Sequence, residues 1–332
     1  MWRLTNRTPY AAERCFARDE HGGEVWIVAV KGTFAIREGG RVEVAEHQDA
    51  VALTADYVGE RGLSSLRCDA DLVLTKPGTD VLVHGSAHAP GGVPAARVEV
   101  GLRCGPIEKR LVVFGDRVYR PGGVAMSDAQ PFVTMPLRYE RTFGGVDPVT
   151  GVRDPRNPIG VGFAEQAARL AGRPAPNIEA APTSPRAAEE KRPAPTGVGA
   201  LARDWSPRIA HAGTYDEAWE ERRMPLLPLD FDARFFFSAP VDQQVPGGLR
   251  EGTQVELLNM TPEGVLAFHL PKRRPCFRTF FGRHTVEHRA RLHTVLVEPD
   301  ARRVMVVWHT ALPCQGKEHH LDRTLIWEKA HV

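Results

Sequence analysis

The sequence predicts a mainly β protein. It is a β-rich α+β fold in which antiparallel sheets make a sandwich-like or two-lobed body around a long, irregular Pro/Gly-rich middle with two short helices. Three observations carry this reading. Period-two patterning runs from the N-terminus to about Tyr139, β-branched and aromatic runs return after about Thr253, and between them neither period two nor period 3.6 persists. With 332 residues, 42% hydrophobic and 25% charged, the chain is long enough for a sizeable core.

Taken in order, residues 1–143 form an N-terminal β-rich region. Val25 to Val30, Asp80 to Val83 and Leu111 to Phe114 are apolar on both faces and read as central strands. Val98, Val100, Leu102 and Cys104 alternate with Arg97, Glu99, Gly101 and Arg103, which makes a strand with one wet and one buried face. Lys76-Pro77-Gly78-Thr79 and Ala89-Pro90-Gly91-Gly92 supply turns.

Residues 144–228 are the irregular part, with nine Gly and twelve Pro against 58 of both in the whole chain. One short helix is expected over Ala164 to Ala171, stopped by Gly172 and Pro174. A second opens at Thr214, where Thr214-Tyr215-Asp216-Glu217 spells a capping box and Pro225 forbids continuation. Ala180 to Thr196 has almost nothing to bury and reads as a flexible linker. Its flanks carry Tyr139, Phe143, Phe163, Trp205, Tyr215, Trp219, Phe231 and Phe235 to Phe237, anchors able to pin irregular backbone onto strands.

Residues 229–332 return to β structure. Val265 to Leu270, Leu292 to Val297, Val304 to Thr310 and Leu321 to Trp327 are strand-like, and Glu298-Pro299-Asp300-Ala301 joins two of them as a hairpin. The three regions are expected to pack as one compact unit.

Composition bounds the function. Forty-three Lys+Arg against 41 Asp+Glu leave a net charge of +2, so no whole-molecule field holds this chain on nucleic acid or an anionic membrane. The longest unbroken apolar run is far shorter than a membrane helix, and no apolar run follows a basic N-terminal end, so a cytoplasmic protein without a membrane partner is expected. Five scattered cysteines, with no C-x-x-C pair, read as reduced thiols.

Two motifs spell chemistry. Gly197-Val198-Gly199-Ala200-Leu201-Ala202 matches the dinucleotide fingerprint in letters, but Pro193-Ala194-Pro195-Thr196 precedes it where that chemistry needs a strand. His284-Thr285-Val286-Glu287-His288 spells the inverted zincin arrangement, which needs a helix to turn both imidazoles onto one zinc. The residues that follow alternate like a strand, and there the two histidines would stand about 13 Å apart. Glu140, Asp147, Asp216, Asp230 and His211 remain as a dispersed acid–base set. From Lys272 to Arg303, nine cations against three acids give a local +6 interleaved with Phe277, Phe280 and Phe281.

Several blocks together resemble a known bacterial family. They are Gly115-Asp116-Arg117, Met135 through Gly145 (MPLRYERTFGG), Asn157-Pro158-Ile159-Gly160-Val161-Gly162, Pro176-Asn177-Ile178-Glu179, Trp205-Ser206-Pro207-Arg208, Ala212-Gly213-Thr214-Tyr215-Asp216 with Trp219, and Leu229-Asp230-Phe231-Asp232. Earlier blocks are Asn6-Arg7-Thr8-Pro9, Val30-Lys31-Gly32-Thr33-Phe34, Lys76 through Val81, and Ala87 through Gly92. The chain resembles the domain-of-unknown-function family encoded beside type VI secretion spike, PAAR-tip and toxic-effector genes, whose members are regarded as effector adaptors or chaperones. The resemblance implies a binding protein that holds an effector or PAAR-domain protein, engages the spike trimer, and needs no cofactor, catalytic residue or metal. The residues expected to meet the partner are Arg138, Tyr139, Glu140, Arg141, Phe143, Asn157, Trp205, Arg208, Tyr215, Asp216, Trp219 and Phe231. Two alternatives stand beside this reading: a hydrolase, zinc-dependent or not, using the loop carboxylates and histidines, and a nucleic-acid binder using Lys272 to Arg303.

Overall fold

The computed structural model describes residues 2–181 and 193–328. Most of the expected linker, residues 182–192, lies outside the described residues. The fold is mainly β, built from several largely antiparallel sheets.

The largest sheet has seven strands. It runs Gln244–Pro246, Gly78–Val83, Arg291–Glu298, Arg303–Pro313, Glu24–Ile36 and Ala11–Arg18, with Val42–Val44 added beside Glu24–Ile36. Strands from both ends of the chain thus interleave in one sheet. Two of the three runs read as apolar on both faces, Val25 to Val30 and Asp80 to Val83, lie on interior strands of this sheet; the third, Leu111 to Phe114, lies on an interior strand of a second, five-stranded sheet. The turn at Glu298 to Ala301 joins Arg291–Glu298 to Arg303–Pro313, with the Ala301 N–H donating to the Glu298 carbonyl at 3.2 Å. The one parallel pairing in this sheet sets Gly78–Val83 beside Arg291–Glu298.

A five-stranded sheet runs Ile178–Ala180, Ile107–Phe114, Arg97–Cys104, Gln254–Leu258 and Val265–His269; a four-stranded one runs Arg3–Asn6, Leu321–Glu328, Pro275–Phe281 and His284–Arg289. Their inner faces meet one face of the large sheet. Trp26, Val28 and Val30, Val98, Val100 and Leu102, and Phe277, Phe281 and Ile326 all belong to one continuous buried cluster. A polar thread crosses it. Trp26 Nε1 donates to Thr324 Oγ1 (2.8 Å), which touches Thr279 Oγ1 (2.8 Å), and His288 bridges Thr279 (2.8 Å) and Thr310 (2.7 Å).

The other face of the large sheet is covered by loops and the short two-stranded ladder of Asp56–Tyr57 with Leu66–Cys68. Leu82, Leu296 and Met305 pack there against Leu66, Cys68, Ala200 and Ala239. Two buried ion pairs fasten this cover: Lys31 with Asp71 at 3.1 Å and Lys76 with Asp80 at 2.8 Å. The Asp80 carboxylate also accepts from the backbone N–H of Ser238 (2.8 Å) and Ala239 (3.1 Å), so a strand side chain holds a loop far along the chain.

Two helix expectations are corrected. Ala164 to Ala171 forms only a 3-10 turn, Ala167–Leu170. Ala167 and Ala168 stay exposed, so beyond the buried Ala164 and Leu170 the segment has no packing to extend a helix past one turn. The second helix, α1, spans Glu217–Arg222, and its N-cap is Asp216, which accepts from the Trp219 N–H at 2.9 Å. Thr214 does not cap it, because its hydroxyl donates to Asp230 at 2.7 Å. Among the described residues α1 is the only α-helix. No described helix is long and apolar enough to cross a membrane.

Candidate functional site

The middle segment is held by buried polar side chains that bond to its backbone. Gly144 and Gly145 adopt φ of +143° and +99°, and a Cβ on either would stand 2.2 Å from the carbonyl oxygen of Asn157 or Gly160. This close crossing requires glycine at both. Beneath it lies Asn157, wholly buried, whose Nδ2 donates to the Tyr139 carbonyl (2.9 Å), Thr142 Oγ1 (2.8 Å) and the Phe143 carbonyl (3.1 Å). Asp147 accepts from the N–H groups of Val149 (2.8 Å), Thr150 (3.0 Å) and Glu165 (2.7 Å), and from Arg169 (2.8 Å). Burial pushes the Asp147 pKa up, but these donors outweigh it and hold the carboxyl well below the usual range.

Five of the twelve expected partner residues lie inside this construction: Tyr139, Phe143, Asn157, Trp205 and Arg208. Tyr139 meets Trp205 edge to face, with ring centroids 5.4 Å apart. The Arg208 guanidinium donates to the carbonyls of Phe235 and Leu201, both at 2.8 Å, and pairs with Asp69. Arg203 reaches the same carboxylate at 3.1 Å. Burial raises the Asp69 pKa; Arg208 and then Arg203 more than offset it and leave it lowered. In this conformation these five side chains serve the fold and are closed to a partner.

Glu140 and Arg141 lie at an open groove of about 420 Å³. Its walls come from segments far apart in sequence: Asp116 to Val118, Glu140 and Arg141, Val161, and Pro174 to Asn177. The 3-10 turn Tyr139–Arg141 sends Tyr139 inward and leaves Arg141 half-buried at the rim. Arg141 Nη1 donates to Asp116 Oδ1 (3.2 Å) and Asn177 Oδ1 (3.1 Å). Its Nε and Nη2 have no partner among the described residues. Arg117 stacks its guanidinium 4.0 Å from the Phe114 ring centroid and donates to the Pro176 carbonyl and Glu179, both at 2.5 Å. Glu140 turns back, accepting the Ser65 N–H at 2.8 Å and the Ser65 hydroxyl. The groove therefore offers a guanidinium edge and the exposed Asp116 carboxylate side by side, a donor–acceptor pair suited to polar polypeptide groups. Arg138, just before the turn, is exposed.

Tyr215, Asp216, Trp219 and Phe231 lie apart from the groove's walls, on an arm formed by residues 208–232. Tyr215 and Asp216 are exposed, and Trp219 and Phe231 half-buried. Tyr215 and Trp219 meet edge to face at 4.7 Å.

The other motifs resolve structurally. His284–Arg289 is a strand, so the two histidines of H-x-x-E-H are not on one helical turn; His288 sits in the polar thread, where burial lowers its pKa to about 4. Gly197 packs on the Tyr139 ring and neither a strand enters nor a helix leaves the Gly-rich run. In the dispersed acid set, Asp147, Asp216, Asp230 and Glu140 each bond to nearby N–H or hydroxyl groups. In the basic stretch, Arg273, Arg274, Arg278, Arg302 and Arg303 are each ion-paired, with Glu328, Glu251, Glu287, Glu263 and Glu298. Three of those acids lie outside the stretch and halve its local +6 in space. All five cysteines are free thiols, three of them buried.

A family model described as "Uncharacterized protein conserved in bacteria (DUF2169)" matches residues 21–309. The chain belongs to this family. No curated protein and no solved structure matches the chain. The span shared with DUF2169 contains the groove, the arm and all twelve expected partner residues. Asp116, Arg117 and Asn177, which line the groove of this DUF2169 member, were absent from the expected set. Their signal was present in the blocks Gly115-Asp116-Arg117 and Pro176-Asn177-Ile178-Glu179.

Proposed function

We propose that this protein is a non-enzymatic adaptor or chaperone that binds a type VI secretion effector, or its PAAR-containing tip protein, and helps to load it onto the secretion spike. The observation that carries the reading is the groove. Three sequence-distant segments bring Asp116, Arg117, Arg141 and Asn177 to one open groove, and they include parts of the blocks on which the family resemblance rests. Arg141 keeps donors that the fold does not use, and planar guanidinium donors are a common anchor in protein–protein recognition. In this reading the partner surface comprises Arg138, Arg141, Asp116 and the arm residues Tyr215, Asp216, Trp219 and Phe231. The five buried residues of the original set hold that surface in place. The protein works in the cytoplasm before firing and uses no cofactor.

Co-expression with the product of the adjacent gene tests this. The expected result is that the neighbour is soluble or stable only with this chain and copurifies with it. Arg141→Ala is expected to weaken that complex by roughly tenfold, the effect of one charge-assisted hydrogen bond. A neighbour that is soluble alone and never copurifies overturns the proposal.

A further inference from the structure

The arm has a chemistry of its own. His211 and Asp232 are joined through a backbone hydrogen bond of 3.0 Å, and Asp230 accepts both the N–H (2.9 Å) and hydroxyl (2.7 Å) of Thr214. These bonds bring Thr214 and Asp230, the neighbours of Tyr215 and Leu229, together. The arm is tied to the body at Arg223, which donates to the Glu20 carbonyl (2.5 Å), and at Arg208, which donates to the Phe235 carbonyl (2.8 Å). Within it four large apolar side chains face solvent: Ile209 at 45%, Tyr215 at 54%, Met224 at 63% and Leu229 at 87% exposure. Helix α1 buries none of its residues. Isolated exposed apolar side chains are ordinary, whereas a concentration of them with a charged rim marks an interaction surface.

The rim is acidic. Asp216, Glu217, Glu220, Glu221 and Asp230 are exposed, against Arg222 as the only exposed cation of α1 and its flanks. Glu217, Glu220 and Glu221 make no ion pair among the described residues. Such a rim repels nucleic acid and anionic lipid alike, and it selects a cationic partner by charge complementarity.

We infer that the arm docks a basic segment with an apolar face, supplied by the partner polypeptide. The inference rests on the adaptor reading and names which chemistry of the partner the arm takes. The apolar face covers Tyr215, Met224 and Leu229, while lysines or arginines meet Glu217, Glu220 and Glu221.

The test uses the full chain and a labelled helical peptide of leucine and lysine, with a leucine–glutamate peptide as counterpart, followed by fluorescence anisotropy. The lysine peptide is expected to bind and the glutamate peptide not. The triple variant Glu217→Gln, Glu220→Gln, Glu221→Gln is expected to weaken binding about tenfold. The double variant Tyr215→Ala, Leu229→Ala is expected to weaken it at least as much. Because these side chains are exposed, unchanged circular dichroism and melting show that each variant is folded. Equal binding of both peptides, no binding of the lysine peptide, or undiminished binding by the variants overturns the inference. Co-expression separates this from the broader reading. If the variants still stabilise the neighbouring gene product as well as the parent does, the arm assignment fails while the adaptor reading stands; if the parent itself does not stabilise it, the adaptor reading fails.

Discussion

The sheets and the middle segment solve the same problem by different means. In the sheets, backbone groups are satisfied by neighbouring backbone: Arg303–Pro313 and Glu24–Ile36 pair through eleven consecutive positions. Between 144 and 228 no described ladder exceeds three pairs. There single, non-repeating backbone bonds such as Gly145 N–H to Asn157 and Phe163 N–H to Gly144 are joined by side-chain partners: Asp147 for three N–H groups, Asn157 for two carbonyls, Arg208 for two more. Irregular backbone can therefore be fixed without a ladder, provided its polar groups find partners in isolated backbone bonds and buried side chains. A strand shows such fixing as a repeat along the sequence; a side-chain stitch has no period.

The comparison can be broken most severely where the two regions meet. Asp80→Ala removes a buried strand carboxylate that holds both Lys76 and the Ser238–Ala239 backbone. It is expected to cost about 3–5 kcal/mol, since an uncompensated lysine charge is left inside. Urea unfolding at neutral pH measures this, and a loss below about 1 kcal/mol would mean that the loop cover is not fastened there. Within the middle segment alone, Asn157→Ala strips donors from the Tyr139 and Phe143 carbonyls and is expected to cost about 2–3 kcal/mol. An unchanged midpoint in the same assay would count against the stitching.

Acid should attack the sheet side of the comparison. Burial lowers His309 to about 4, and His293, stacked on it with centroids 4.1 Å apart, is lowered as well. Both are neutral when folded, while an unfolded histidine takes up its proton below about 6.5. Their contribution is thus complete above about 6.5 and is lost as pH falls toward 4. Between pH 7 and 5 His309 alone should account for about 2 kcal/mol, read as a falling urea midpoint; a flat profile contradicts it. At the other extreme, Leu229→Ala on the arm should change stability by less than about 0.5 kcal/mol by the same method, because the fold gains almost nothing from a side chain left in water.

What the sequence made legible follows the same division. Alternation over Val98 to Cys104, the two-faced apolar runs and the Glu298 to Ala301 turn are local patterns, and each appears where expected. Thr214 has the sequence signature of a cap, but its partner, Asp230, lies sixteen residues away where no local pattern points to it. Arg208 and Trp205 carried the signature of binding residues, an arginine and an aromatic in an irregular segment, yet Asp69 and Tyr139 claim them. The groove is not legible in the sequence because its walls are contributed by segments up to about 60 residues apart, and no spacing rule links Asp116 to Asn177. Lys31 was the readable hint of a buried pair, being a charge in the middle of an otherwise apolar strand.

Hydrogen–deuterium exchange over residues 139–178 tests the central claim most directly, namely that the middle segment is a fixed scaffold for the groove. The amides of Val149, Thr150 and Glu165, bonded to Asp147, should exchange orders of magnitude more slowly than free peptide, approaching the protection of the sheet strands. Exchange of these amides at the rate of unstructured chain would contradict the account, because the groove would then have no fixed walls.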